Sequence, residues 1–245
     1  VLRGISVTFA PGLLHVIVGP NGSGKSTFLK AFSGEWPLEA GSVYYDDQPL
    51  AALGKTRLAQ RRAVMSQLPE LHFPVRVDDI VMMGRYPHFT YRPSRHDGDI
   101  CRAAMDRLGV LALAGRDYLT LSGGERQRVQ FARALAQIWE APGATGSRYL
   151  FLDEPVSSLD VHYQHEFLTL ARSLAASGIV LIVVLHDLNL ALQYADRILF
   201  LKEGSVVAAG EAPGIVTAEL VHEVFGVPAH LLENPYGARP LIVYG

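Results

Sequence analysis

The sequence predicts an α/β fold: a mainly parallel β-sheet with antiparallel β elements and an inserted helical subdomain. Three observations predict it. Apolar runs at Leu13–Val18, Tyr149–Leu152 and Ile179–Leu185 read as buried strands. Helical stretches separate these runs, the alternation that a parallel sheet requires. Between residues 68 and 120, prolines at 69, 74, 87 and 93 break the rhythm, and that stretch reads as an insertion.

Each element carries a local signature. Leu13–Val18 ends in Gly19, and a helical stretch from Lys25 to Ser33 stops at Gly34. Ser42–Asp46 alternates like a strand before a turn at Asp47-Gln48-Pro49. Residues 51–66 read as helical, with Ala63–Ser66 also reading as a strand that Gln67 closes. A helix follows over Asp97–Leu108. Glu125–Trp139 places Val129, Ala132, Leu135, Ala136 and Trp139 on one helical face. Residues 141–147 form a loop. Val161–Ser177 is a helix with Tyr163, Phe167, Leu170, Ala171 and Leu174 inward, stopped by Gly178. Leu188–Ala195 is helical, and Ile198–Leu201 with Val206–Ala209 reads as a hairpin through Glu203-Gly204-Ser205. Residues 211–245 read as a helix-rich tail. The chain opens at Val1 without a methionine and almost at once in a strand-like stretch, Ile5–Phe9, so residues are expected upstream. The expected organisation is one domain over 1–245. Its core spans about 1–67 and 148–210, the helical subdomain about 68–147, and the tail 211–245.

With 245 residues, 49% of them apolar, the chain has ample material for a buried core. A formal charge of −2 gives no basic footprint for nucleic acid. Arg57, Arg61 and Arg62 cluster, and such runs are ordinarily solvated helix faces. Cys101 is the single cysteine, so no disulfide framework forms and a cytosolic setting is expected, with Cys101 as a small buried hydrophobe. The longest apolar run falls far short of the roughly 20 residues that span a bilayer. If the protein works at a membrane, other chains supply the spanning helices.

Gly19-Pro20-Asn21-Gly22-Ser23-Gly24-Lys25-Ser26-Thr27 satisfies the phosphate-binding-loop pattern after an apolar strand and before a helix. Its glycines let backbone N–H groups turn in around phosphates, and the helix N-terminus adds positive potential. Lys25 is expected to reach the β- and γ-phosphates of the bound nucleotide, and Ser26 to ligate Mg²⁺. Asp153 and Glu154 end a buried strand, where ligands collect in open α/β sheets. Asp153 suits the acidic group that binds Mg²⁺ through its shell, and Glu154 the base that polarises the attacking water. His186 follows another buried strand and reads as a hydrogen-bonding sensor of the γ-phosphate. Gln67 leaves the core pattern with an amide able to ligand Mg²⁺ or water and to be withdrawn. Ser122, Gly123, Gly124 and Glu125 open a helix; they are either a plain N-cap or an anion site for phosphates held by another copy. Ser157-Ser158-Leu159-Asp160 would then lie along the shared seam. The remaining histidines, including His72, His88 and His96, show no metal-ligand spacing.

These elements in this order resemble the ATP-binding cassette (ABC) ATPases over essentially the whole chain. The resemblance implies a P-loop NTPase core of RecA-like type. It makes Gln67 the Q-loop, Ser122–Glu125 the signature, Asp153 and Glu154 the Walker B pair, Asp160 the D-loop and His186 the switch histidine. It further implies a head-to-tail dimer of two copies with two ATP at the seam. That dimer would drive two transmembrane permease subunits at the cytoplasmic face of a bacterial inner membrane, served indirectly by a periplasmic binding protein. Gly34-Glu35-Trp36, Arg61–Gln67, Phe73-Pro74-Val75, Met83–His88 and His186–Ala191 are similar to the haemin-import branch, the HmuV type. Ferric-siderophore and cobalamin importers share much of these stretches. Pro155-Val156-Ser157-Ser158 departs from the family's commoner Pro-Thr-Ser-Ala, and the adenine-stacking aromatic would precede Val1. A cassette acting on DNA or ribosomes would bring a coiled coil, a second cassette or a basic face, and none is present. A P-loop kinase or GTPase would leave the signature unexplained.

Overall fold

The computed structural model describes residues 2–66, 73–140 and 146–245. The chain divides into two compact units, Val1–Pro37 with Ala171–Gly245, and Leu38–Leu170.

The first unit opens on β1 (Leu14–Val18), whose five residues are all buried, and α1 (Lys25–Phe32). Phe28 and Phe32 stack at 4.1 Å, and Phe9 meets each edge-on at 6.0 Å. Residues 5–9 are not a strand, contrary to their alternating pattern. A strand needs a pairing edge, and Phe9 is anchored through its ring instead.

In the second unit, β2 (Tyr44–Tyr45) and β3 (Gln48–Pro49) form a minimal hairpin turned by Asp46, at φ 53°. The strand expected over 42–46 is therefore two residues, and Gln48 and Pro49 belong to its partner. α2 (Lys55–Arg61) gives way at once to β4 (Arg62–Met65), so the helix expected to residue 66 ends earlier. Pairing of Ala63, Val64 and Met65 with a later strand outweighs local helix propensity. Arg61 is not on a solvated face: it is buried, donates to Gln48 at 3.2 Å and pairs with Asp46.

α3 (Val77–Met83) was not foreseen, because Pro74 and Pro87 lie outside it and only appear to break it up. α4 (Arg95–Arg107) starts with a reciprocal capping box between Ser94 and Asp97. Cys101 is buried on it, and burial pushes its thiol up to about 11. α5 (Gly123–Gln137) buries Gln127 and Gln130 besides its apolar positions, a wider face than predicted. β5 (Arg148–Asp153) runs parallel to β4, with Met65 opposite Leu152. α6 (Val161–Ala176) buries Phe167 against Phe131 at 4.6 Å, but Tyr163, expected inward, is 38% exposed.

Arg85 organises the helices of this unit. Its guanidinium, 2% exposed, donates to Asp97 at 3.0 Å, to the Ala136 carbonyl at 2.9 Å and to Glu140 at 3.0 Å. Gly84 beside it admits no side chain, because a Cβ there would lie 2.2 Å from the Arg133 carbonyl oxygen. Desolvation raises the Asp97 carboxyl, but the Ser94 hydrogen bonds and Arg85 outweigh it and hold it at about 2. A depressed carboxyl stabilises the fold above its ordinary value of 3.8, and the contribution is lost as pH falls through about 2. Arg85→Met strands the buried carboxylate and is expected to cost about 3–5 kcal/mol in denaturant unfolding at neutral pH. A loss under about 1 kcal/mol, the range of exposed pairs, would show the network to be a surface one.

The chain returns to the first unit with β6 (Ile179–Val184), α7 (Leu188–Tyr194), β7 (Arg197–Lys202) and β8 (Ser205–Glu211). β1 lies between β6 and β7 and is parallel to both, while β8 closes the edge antiparallel to β7. The tail corrects the expectation of a helix-rich segment. It holds one helix, α8 (Ala218–Phe225), then an antiparallel pair, β9 (Ala229–Leu232) and β10 (Leu241–Tyr244). Among the described residues no helix is long and apolar enough to cross a membrane.

Candidate functional site

The predicted site residues fall in both units, and each half has its own geometry. In the first, β1 delivers the chain into the loop Gly19–Gly24. Gly22 and Gly24 sit at φ 76° and 102°, where only glycine is free of strain. Gly19 is needed for a different reason: a Cβ there would lie 2.1 Å from the Leu201 carbonyl oxygen of β7. The loop rests on the β7–β8 turn, where Gly204 N donates to the Ser23 carbonyl at 2.9 Å. Nothing in the sequence pointed to that turn as the loop's platform. It comes from pairing across the sheet, which no local motif encodes.

The loop fits a polyphosphate. No side chain caps the first turn of α1 and no acidic residue stands there, so its N–H groups keep their positive potential. Ser23 is 2% exposed, and its Oγ has no hydrogen-bond partner among the described residues. An orphaned buried hydroxyl costs about 1–3 kcal/mol, and a phosphate oxygen would satisfy it. Lys25, 5% exposed, curls over the loop and donates to the Gly19 and Pro20 carbonyls at 2.8 and 3.0 Å. Asn21 and Ser26 are exposed and Thr27 is half-buried.

His186 reaches the same end of the same sheet. Val184 pairs with Ile17, and Leu185 N donates to the Ile17 carbonyl at 3.1 Å. Two residues beyond Ile17 stands Gly19, and two beyond Val184 stands the exposed His186. Asp187 caps the helix that follows, accepting from the Asn189 and Leu190 N–H groups at 2.7 and 3.1 Å.

In the second unit, β5 carries Asp153 and Glu154 to its carboxyl end, next to the end of β4 that leads towards Gln67. Gln67 lies outside the described residues. Glu154 has φ 52°, a left-handed backbone that costs a non-glycine residue about 1–3 kcal/mol and concentrates at functional positions. Gln127 of α5 donates from its buried amide to the Pro155 carbonyl, tying the helix that begins at Gly123 to the loop after the acidic pair. Gln127 carries no local cue, since a glutamine inside a helix looks ordinary until its partner is seen.

Ser122 is the N-cap of α5 in a capping box with Glu125. Ser122 Oγ accepts from Glu125 N at 3.3 Å, and Ser122 N donates to Glu125 Oε2 at 2.7 Å. Hydrogen bonds from the Ser122 backbone and hydroxyl hold the Glu125 carboxyl below its ordinary value. The plain-cap alternative therefore describes the turn as it stands. It does not explain the glycines. A Cβ on Gly123 meets nothing within 4 Å, and one on Gly124 makes ordinary 3.7 Å contacts with Leu159 and Tyr163. Neither has a positive φ. Asp160 is exposed and accepts from Tyr163 N at 3.2 Å at the start of α6, with Ser157 and Ser158 exposed beside it. Among the described residues no cluster of histidine, cysteine or carboxylates is placed to hold a metal ion. His88 and His96 bond Gln137 O and Glu140; His72 lies outside the described residues.

Comparison with known proteins identifies the family. The family model described as ABC transporter matches residues 2–157. A hemin import ATP-binding protein HmuV from Hahella chejuensis is 43% identical over 245 residues, covering 99% of this chain and 93% of the relative. Its counterpart from Gloeobacter violaceus is 45% identical over 242 residues, covering 99% and 88%. Among solved structures, an inward-facing ABC transporter assigned to the metal-chelate type superposes with a TM-score of 0.80 at 28% identity, covering 96% of this chain and 88% of that one. The ADP conformation of the cassette MJ1267 gives 0.79 at 21% identity, with 92% and 91% covered, a likeness of fold. A phosphate-binding loop with its strand and helix, in a chain matched end to end by such relatives, leads to one conclusion: this protein belongs to the ABC transporter family, as an ATPase subunit that energises transport.

Proposed function

We propose that the chain is the ATP-hydrolysing subunit of a bacterial importer for haem. In this reading it works as a head-to-tail homodimer beneath two permease subunits, at the cytoplasmic face of the inner membrane, with a periplasmic binding protein delivering cargo. The observation that carries the cargo assignment is the identity of 43–45% over 99% of the chain to proteins named for hemin import. The Met83–His88 stretch adds less than its likeness suggested, because Gly84 and Arg85 are accounted for by helix packing alone.

In the proposed mechanism the loop Gly19–Thr27 wraps the ATP phosphates, Lys25 exchanging loop carbonyls for phosphate oxygens. Ser26, Asp153 and Gln67 would hold Mg²⁺, which when bound offsets charge developing on the phosphoryl group. Glu154 takes the proton of the attacking water and His186 donates to the γ-phosphate. Ser122, Gly123 and Gly124 of the second copy close on that phosphate, with Asp160 at the seam. The steric freedom at Gly123 supports this part: the protomer's own packing does not require a glycine there, whereas close approach of a partner's phosphate does.

The cargo is tested by reconstituting the chain with its permease and binding protein in liposomes. ATPase activity is then compared with haem, a ferric siderophore or cobalamin in the lumen. Stimulation by haem, with a haem absorption band in the complex, is expected. Stimulation by one of the others instead moves the cargo and leaves the ATPase assignment standing.

A further inference from the structure

We propose that the C-terminal β9–β10 pair is a clamp that positions His186, acting through Asn189 and Arg239. This rests on the reading of His186 as the γ-phosphate sensor. α7 has seven residues, and an isolated helix shorter than about 12 residues does not hold itself in water. Its placement, and with it that of the residues just before it, is set from outside.

Two side-chain contacts with the tail do this. Asn189 Nδ2 donates to the Ile242 carbonyl at 3.0 Å, and Asn189 Oδ1 accepts from Ile242 N at 2.8 Å. The amide thus pairs reciprocally with one residue of β10, as a neighbouring strand would, on a backbone edge that β9 leaves open. At the other end of α7, Arg239 donates to the Leu192 and Ala195 carbonyls at 2.8 and 2.5 Å, satisfying acceptors that the helix terminus leaves over. The two contacts bracket α7. Asp187, which caps it, is the residue after His186; burial first, and the Asp187 charge second, push the Tyr244 phenol of β10 upwards. With Leu185 fastened to β1 on one side and α7 clamped on the other, His186 has little freedom to drift from the sheet end where the phosphate loop begins.

Asn189 and Arg239 are positioning residues, and the test separates positioning from general stability. Asn189→Ala and Arg239→Ala are prepared alone and combined with His186→Ala; Asn189→Asp and Arg239→Lys serve as milder variants should either fold poorly. In the ligand-free chain, amide exchange over residues 188–195 is expected to quicken about tenfold, with residues 19–27 unchanged. The His186 imidazole resonance should move as well. ATP turnover should fall about tenfold in kcat with KM within about twofold, and should fall no further when His186 is already alanine. Asn189→Asp keeps the acceptor and loses the donor, so it should lie between. Unchanged exchange over 188–195 with an unmoved His186 resonance overturns the clamp. An equal fall of kcat in both backgrounds overturns its action through His186. Normal turnover in His186→Ala alone instead removes the sensor reading and the catalytic half of the proposal, and the exchange and resonance data still judge the clamp.

Discussion

Glu154→Gln is expected to lower kcat for ATP hydrolysis by about 10²–10⁴-fold, the usual contribution of a positioned general base, while leaving ATP affinity near that of the parent. An amide keeps the volume and hydrogen-bonding reach of the carboxylate but cannot take the proton from water. The left-handed backbone at this residue points the same way, since a fold does not hold glutamate at φ 52° without compensation. The loop that precedes it in function, Gly19–Thr27, lies in the other unit and keeps its own contacts. Binding and hydrolysis should therefore separate. With ATP present, the variant should accumulate as a dimer in size-exclusion chromatography with light scattering. Parent-like turnover would remove Glu154 from the role of base.

Gly123→Ala tests the second copy's part. A Cβ at this position meets nothing within 4 Å in the protomer, and φ is not in the left-handed region, so the melting temperature should stay within about a degree or two of the parent. In the head-to-tail dimer the same methyl would stand between the α5 N-terminus and a γ-phosphate. Loss of backbone donors at a developing charge costs about 10²–10³-fold in kcat, and a loss of that order is expected. Binding of ATP to the isolated protomer should be unaffected. Equal falls in stability and turnover would assign the glycine to packing and count against the shared site. Mixing Gly123→Ala with Glu154→Gln protomers adds a check: a mixed dimer has one site carrying both changes and one carrying neither, so each mixed dimer should regain about half of the parent's turnover while the unmixed dimers stay inactive.

The legibility of this chain varied with the range of the interactions involved. The phosphate-loop motif was readable because it is local: glycine spacing, a buried strand before it and a helix after it all lie within a few turns of chain. The strands β5 and β6 were readable for the same reason, through the unbroken apolar runs Tyr149–Leu152 and Ile179–Leu185. Errors arose where a distant partner decided the outcome. Residues 62–65 left the helix predicted to residue 66 and follow the strand reading of Ala63–Ser66, because β5 pairs with them, and residues 5–9 stayed out of a strand despite alternation. The tail was misread as helical because β9 and β10 are four residues each, too short to show a period against the helix beside them.

From residue order alone followed the class of chemistry, the phosphate loop, the acidic pair, the histidine after β6 and the glycines that open α5. Three further things came from the folded chain. Gly19 is compelled by the Leu201 carbonyl, Arg85 ties α4 to the end of α5, and Asn189 grips a strand 53 positions away. The physical reason is that backbone periodicity and turn chemistry are written within a few residues. Close backbone approach and reciprocal hydrogen bonding between remote segments exist only once packing has brought them within about 3 Å of each other.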